Sequence, residues 1–205
     1  MAKLYFFYSA MNAGKSTHLL QSAYNYEQRG MRVLLFLPSI DGRAGEGVIS
    51  SRIGLSRSAR SVDPSSDLYR IVDEVGHEDG FDAVFVDEAQ FLTPAQVLQL
   101  TMIVDKVGIP VLTYGLRTDF RGEPFEGSKY LLAWAEELVE IKTVCSSGRK
   151  ATMSARFHED TRVYEGEQIE IGYHYQPMAR HLFELERVSP IGYPPHASAR
   201  VEPKD

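Results

Sequence analysis

The chain has 205 residues, 43% of them hydrophobic, and a formal charge of −6 from 22 Lys and Arg against 28 Asp and Glu. That length and apolar content suit one globular domain with a small appendage, and the acidic balance disfavours a protein held by charge to nucleic acid or acidic lipid. A single cysteine, Cys145, excludes an intrachain disulfide and a multi-cysteine zinc site.

No apolar run approaches the about 20 residues that span a bilayer. The N-terminus reads straight into a strand rather than a leader, so the expected protein is cytoplasmic, without membrane or nucleic-acid partners. Leu4 to Tyr8 predicts that first strand, Ser9 to Gly14 a loop of small residues, and Leu19, Leu20, Ala23 and Tyr24 a helix that Gly30 stops. Val33 to Leu37 predicts a second buried strand ended by Pro38, and the polar, Gly/Ser-rich residues 39–61 predict a mobile loop. Leu68, Ile71, Val72 and Val75 fit a helix, and Ala83 to Val86 a strand that ends at the acidic pair Asp87-Glu88. Thr93-Pro94-Ala95-Gln96 reads as a capping box with proline at the first helical position. It opens a helix with Val97, Leu100, Ile103, Val104 and Val107 on one face until Gly108. Then come a strand from Pro110 to Tyr114, a loop over 115–127, a helix from Ser128 to Leu138 and a strand from Val139 to Thr143.

Short continuous strands alternating with helices predict an α/β fold, a mostly parallel sheet with helices on both faces. After Cys145 the alternation from Gln168 to Gly172 predicts a β-rich appendage, and Pro190, Pro194, Pro195 and Pro203 a frayed tail. The expected units are 1–143, 144–188 and 189–205.

The strongest chemical signal is Ser9-Ala10-Met11-Asn12-Ala13-Gly14-Lys15-Ser16, which fits G-x-x-x-x-G-K-[ST] everywhere except at Ser9. Such a loop aims backbone amides at phosphate oxygens and feeds a helix whose N-terminal dipole favours the same anion. Lys15 then neutralises the β- and γ-phosphates of ATP, and the Ser16 hydroxyl ligates Mg2+. Asp87-Glu88 supplies the acids such a loop needs, at the tip of a neighbouring strand. If strand geometry persists to the tip, the two side chains diverge. Asp87 is the expected metal ligand and Glu88 the proton acceptor, with Ala89 and Gln90 completing the nucleotide site.

Tyr8 to Thr17, Phe85 to Phe91, Tyr114 to Phe125 and Val163 to Gly172 together resemble the type II thymidine kinases, closest to the bacterial branch. Tyr24-Asn25-Tyr26, Ser51 to Leu55 and Gly115 to Gly122 extend the likeness, which covers about residues 2 to 185. The resemblance implies a P-loop, RecA-like core and transfer of the γ-phosphoryl group of ATP to the 5′-hydroxyl of thymidine, with Glu88 and Lys15 catalytic. It also implies that Asp41 and Arg43 approach metal and phosphate, and that Phe120, Phe125 and Met11 line the base pocket. Ile171, Gly172 and Tyr175 then fall in a lasso that closes over thymidine, and the molecule is a homotetramer.

The family pins this appendage with a four-ligand zinc. Here the ligand positions hold Cys145, Ser147, Ala179 and Leu182, a set that cannot bind zinc. The expectation is no structural zinc, with His158, His174 and His181 at no standard ligand spacing, and packing by Tyr164, Ile169, Ile171 and Phe183 instead. Tyr173 stands where the lasso's second glycine is expected. Two other readings share the phosphate loop: a RecA-like DNA-dependent ATPase, and a degenerate nucleotide-binding protein. The acidic balance opposes the first, and retention of Lys15 with Glu88 opposes the second.

Overall fold

In the computed structural model the described residues are 1–39, 47–159, 161–170 and 173–183, with backbone only for 75–79. In chain order the main elements begin with β1 (Leu4–Ser9), α1 (Lys15–Glu27), β2 (Val33–Pro38), β3 (Val48–Ser50), β4 (Ser56–Ser58), β5 (Arg60–Val62), α2 (Leu68–Asp79) and β6 (Ala83–Val86). There follow α3 (Pro94–Met102), β7 (Val111–Leu116), α4 (Glu126–Trp134) and β8 (Glu137–Glu140). The appendage comprises β9 (Thr143–Val144), β10 (Lys150–Ala151), β11 (Met153–His158), β12 (Thr161–Val163) and β13 (His174–Met178).

Six strands form one sheet in the order β5-β2-β6-β7-β1-β8, and every pairing in it is parallel. Strand alternation explains its two faces. Val84 and Val86 of β6 join Leu4 and Phe6 of β1 in a cluster closed by Leu68 and Val72 of α2, Val97 and Leu100 of α3, and Leu131 of α4. Ala83 and Phe85 point the other way, into a cluster with Leu19, Leu20 and Ala23 of α1. Each large apolar side chain so buried stabilises the fold by about 1.5–3 kcal/mol. The predicted α/β architecture is therefore present, and among the described residues α1 covers one face while α2, α3 and α4 cover the other.

Several expectations are corrected. Residues 39–61, read as a loop, contain the β3–β4 hairpin and the start of β5, which joins β2 through Phe36↔Arg60 and Pro38↔Val62. The short strands escape notice because Ser56, Arg57, Ser58, Arg60 and Ser61 are polar; Ile49 anchors the hairpin against the α1 side of the sheet. The predicted helix from Ser128 to Leu138 ends at Trp134, and Glu137–Glu140 instead lines up on the free edge of β1. After Met102, α3 continues as one π-helical turn, Ile103–Val107, ended by Gly108 at φ 79° with its N–H donating to Ile103 O. The strand bearing the acidic pair is not β1's neighbour, because β7 lies between β6 and β1. In the appendage, residues 164–170 form no strand; the sheet there is β12-β11-β13, with a separate β9–β10 pair.

Candidate active site

The phosphate loop follows β1 directly. Asn12 at φ 62° and Gly14 at φ 81° both take the left-handed conformation, which with their neighbours curls the chain so that successive amides face one concavity. Gly14 then caps α1, and the first helical bond runs from His18 N to Gly14 O at 2.9 Å. Ser9, the departure from the motif, is the last residue of β1 and extended, so nothing at that position demands glycine. Its hydroxyl donates to Ala10 O at 2.8 Å and accepts from the buried Lys15 Nζ at 3.3 Å. Below the loop, Phe7 and Tyr114 stack at 4.6 Å and Tyr114 Oη lies 3.1 Å from His18 Nδ1, which ties α1 to the sheet.

Asp87 is 3% exposed. Burial and the adjacent Glu88 charge push its carboxyl up to about 7, opposed by the Ser16 hydroxyl and by the charge of Lys15. The loop and the acidic strand thus meet, although 71 positions separate Ser16 from Asp87. Among the described residues Asp87 Oδ1 is buried without a hydrogen-bond partner, and a buried carboxylate oxygen of that kind suits a cation. Asp41, the other expected ligand, and Arg43 lie outside the described residues.

Divergence of the two acids has a different cause from the one expected. The strand stops at Val86, and Glu88 sits in the left-handed region at φ 48°, leading into a 3₁₀ turn, Ala89–Phe91. That turn, rather than strand alternation, leaves Glu88 half-buried while Asp87 is enclosed. Gln90 holds the arrangement: its Nε2 donates to Glu88 Oε2 at 2.5 Å, and its Oε1 accepts from Leu116 N at 2.9 Å. Gln90 therefore faces Glu88 and β7, whereas Ala89 is buried in the core beside them.

The appendage comes to the loop from the other side. Met11 N donates to Ser154 Oγ at 3.0 Å, and Asn12 Nδ2 reaches Tyr175 O at 3.5 Å. Met11 and Tyr175 are thus brought together. Phe120 is buried with the Arg156 guanidinium 3.6 Å above its ring. Phe125 precedes α4 and meets Phe91 edge-on at 5.7 Å. Ile171 and Gly172 lie outside the described residues.

A family model for thymidine kinase matches residues 2–183. The chain belongs to the thymidine kinase family. It is 59% identical over 174 residues to thymidine kinases of Xanthomonas axonopodis pv. citri and Legionella pneumophila, a match covering 84% of this chain and 83% of each relative. A thymidine kinase of Xanthomonas campestris is 56% identical over the same coverage. Membership sets aside the DNA-dependent ATPase reading, and the sheet order accords with the expected RecA-like core. No helix among the described residues is long and apolar enough to cross a membrane.

Seen as a member of this family, the appendage does bring Cys145, Ser147, Ala179 and Leu182 to one place. Cys145, Ala151 and Ala179 form a small buried cluster with Leu182 against it, and Cys145 Sγ lies 3.0 Å from Ser147 Oγ. The three histidines make separate contacts: His158 and His174 are one register step apart on paired strands, His158 beside Tyr173 and His174 bonded to Glu159 O, while His181 meets Arg149. Of the residues expected to stabilise this region, Phe183 is buried with Met153 and Ala155, and Tyr164 lies under Arg162 at 4.7 Å. Ile169, by contrast, is 45% exposed. It corrects the expected alternation, since residues 164–170 are not strand. Sequence reasoning missed Ser154 and Arg156, both buried on β11. The available signal was a hydroxyl and a guanidinium inside the otherwise apolar or small run Met153 to Phe157.

Proposed function

We propose that this chain transfers the γ-phosphoryl group of ATP to the 5′-hydroxyl of thymidine, giving dTMP and ADP. The carrying observation is the meeting of a buried Lys15 and phosphate loop with the Asp87-Glu88 pair, in a chain of the thymidine kinase family. Loop amides and the N-terminus of α1 bind the phosphates, and Lys15 offsets the charge that the transferring group spreads over its oxygens. Glu88, kept half-open to solvent by its left-handed turn and held by Gln90, accepts the hydroxyl proton as the O–P bond forms. Asp87, through its unpartnered oxygen, and Ser16 are the described residues that would hold Mg2+; when bound, that ion neutralises β- and γ-phosphate charge. Asp41 and Arg43 belong to the same proposed set.

Met11, Tyr175 and the neighbourhood of Phe120 and Phe125 form the nucleoside side, with Ile171 and Gly172 in the adjoining segment. The proposed organisation is a kinase unit over 1–143, a substrate-closing appendage over 144–188 without structural zinc, and a tail over 189–205. The proposed assembly is a cytoplasmic homotetramer, which light scattering tests directly.

The deciding experiment measures ADP release across the common nucleosides, with and without single-stranded DNA. Turnover that requires thymidine is the expected result. ADP release indifferent to thymidine, or stimulated by DNA instead, overturns the proposal.

A further inference from the structure

Arg156 is a cation placed where cations are rarely placed. It lies on the central strand of the appendage sheet and is fully buried, and removing a guanidinium from water costs several kcal/mol unless its donors and charge are matched. Four hydrogen bonds match it. Nε donates to Tyr175 Oη at 2.9 Å, Nη1 to Glu170 Oε2 at 2.9 Å, and Nη2 to Glu167 O at 2.6 Å and Gln168 O at 3.1 Å. One face of the planar group covers Phe120 at 3.6 Å from the ring centre, a stacking that a lysine cannot reproduce.

These contacts share a direction. Three of the four bonds end on residues 167–170, a segment without regular structure whose backbone carbonyls would otherwise need water or a ladder partner. The fourth ends on Tyr175, and the stacked face on Phe120. Gly166, at φ 122°, permits the approach: a Cβ there would come within 3.0 Å of Glu170 Oε2 and 3.2 Å of Arg156 Nη1. A second tether runs from Gln168 Nε2 to Asp119 Oδ2 at 3.2 Å, one residue from Phe120.

We propose that Arg156 is a positioning residue for the nucleoside side of the site. It pins segment 166–170 to Phe120 and Tyr175, so that the wall next to the bound nucleoside is already formed before the nucleoside arrives. The proposal rests on the thymidine kinase reading for the identity of the ligand. Pre-organisation of this kind acts on nucleoside affinity more than on the phosphate end of the site, because the hydrogen bonds of Arg156 reach neither the loop nor the acidic pair. The onward link from Tyr175 to the loop is the long, exposed contact of its carbonyl with Asn12 Nδ2 at 3.5 Å.

The test compares Arg156→Met, Arg156→Lys and Glu170→Gln in the full chain by steady-state kinetics and by amide exchange of segment 164–170 without nucleoside. Arg156→Met should raise KM for thymidine about tenfold or more while KM for ATP stays within about twofold, and should lose protection in the segment. Arg156→Lys, which keeps the charge without the planar fork, should restore only part of the protection. Glu170→Gln changes a partly exposed side chain and is expected to fold, with a rise in thymidine KM of about threefold. A folded Arg156→Met with native protection and native thymidine KM overturns the proposal. If that variant does not fold, Glu170→Gln with both values native overturns it equally. Loss of protection in a protein that never shows thymidine-dependent turnover would sink the functional reading while upholding the pinning itself.

Discussion

The two sides of the site are built by opposite means. On the phosphate side, Ser9, Asp87 and Leu116 emerge from adjacent strands of a six-stranded parallel sheet buried on both faces, and the side chains proposed as catalytic inherit that rigidity. On the nucleoside side, strands of two to six residues carry two clusters of three buried side chains each among the described residues. Order there comes from polar contacts that converge on Arg156. Both sides bury polar atoms that no hydrogen bond among the described residues satisfies, Asp87 Oδ1 on the one and Arg162 Nε and Nη2 on the other. What differs is that contiguous apolar runs build the large core, whereas the order of the appendage depends on partners distant in sequence. The difference explains why a nucleotide cradle is legible in eight contiguous residues and a nucleoside wall is not.

The comparison breaks most sharply at Glu88. Glu88→Gln should lower kcat by about 100-fold or more with KM for ATP nearly unchanged, measured as thymidine-dependent ADP release; an unaltered kcat would remove Glu88 from the chemistry. Gly127→Ala comes next, because a Cβ at that position would meet Ala89 O at 2.6 Å, Leu92 O at 2.8 Å and Gln90 O at 2.9 Å. Backbone carbonyls cannot swing aside, so the variant should lose about 2 kcal/mol or more in denaturant unfolding, together with turnover through the displaced Gln90.

Asp87 sharpens the contrast through pH. Its carboxyl is raised from 3.8 to about 7 in the folded chain, so the folded state retains a proton that the unfolded chain releases. Metal-free native protein should therefore lose stability relative to Asp87→Asn as pH rises between about 4 and 7, with the gap constant above that window and closed below it. Thermal unfolding at pH 4, 6 and 8 reads the gap, and added Mg2+ should narrow it for the native protein alone. A gap independent of pH contradicts the raised carboxyl. The smallest effect belongs to the appendage: extended dialysis against a chelator should leave its melting and its amide protection unchanged, since Cys145 stands among Ala151, Ala179 and Leu182. Stoichiometric zinc in the purified protein would refute that expectation.

Some of this was decided within short stretches of chain. The phosphate loop, the apolar strand before Asp87 and the capping box of α3 each consist of neighbours in sequence, so their spacing alone states the chemistry; Thr93 and Gln96 cap one another reciprocally as predicted. Tertiary structure decided the rest. Residues 60–62 extend the sheet only because β2 offers an open edge, and β7 separates β6 from β1 because strand order is a property of packing. The left-handed turn at Glu88 depends on a glutamine bonded to β7. Arg156 became legible only when Phe120, Glu167, Gln168, Glu170 and Tyr175 were seen around it. A buried cation is defined by partners brought from elsewhere in the chain, and no local pattern records them.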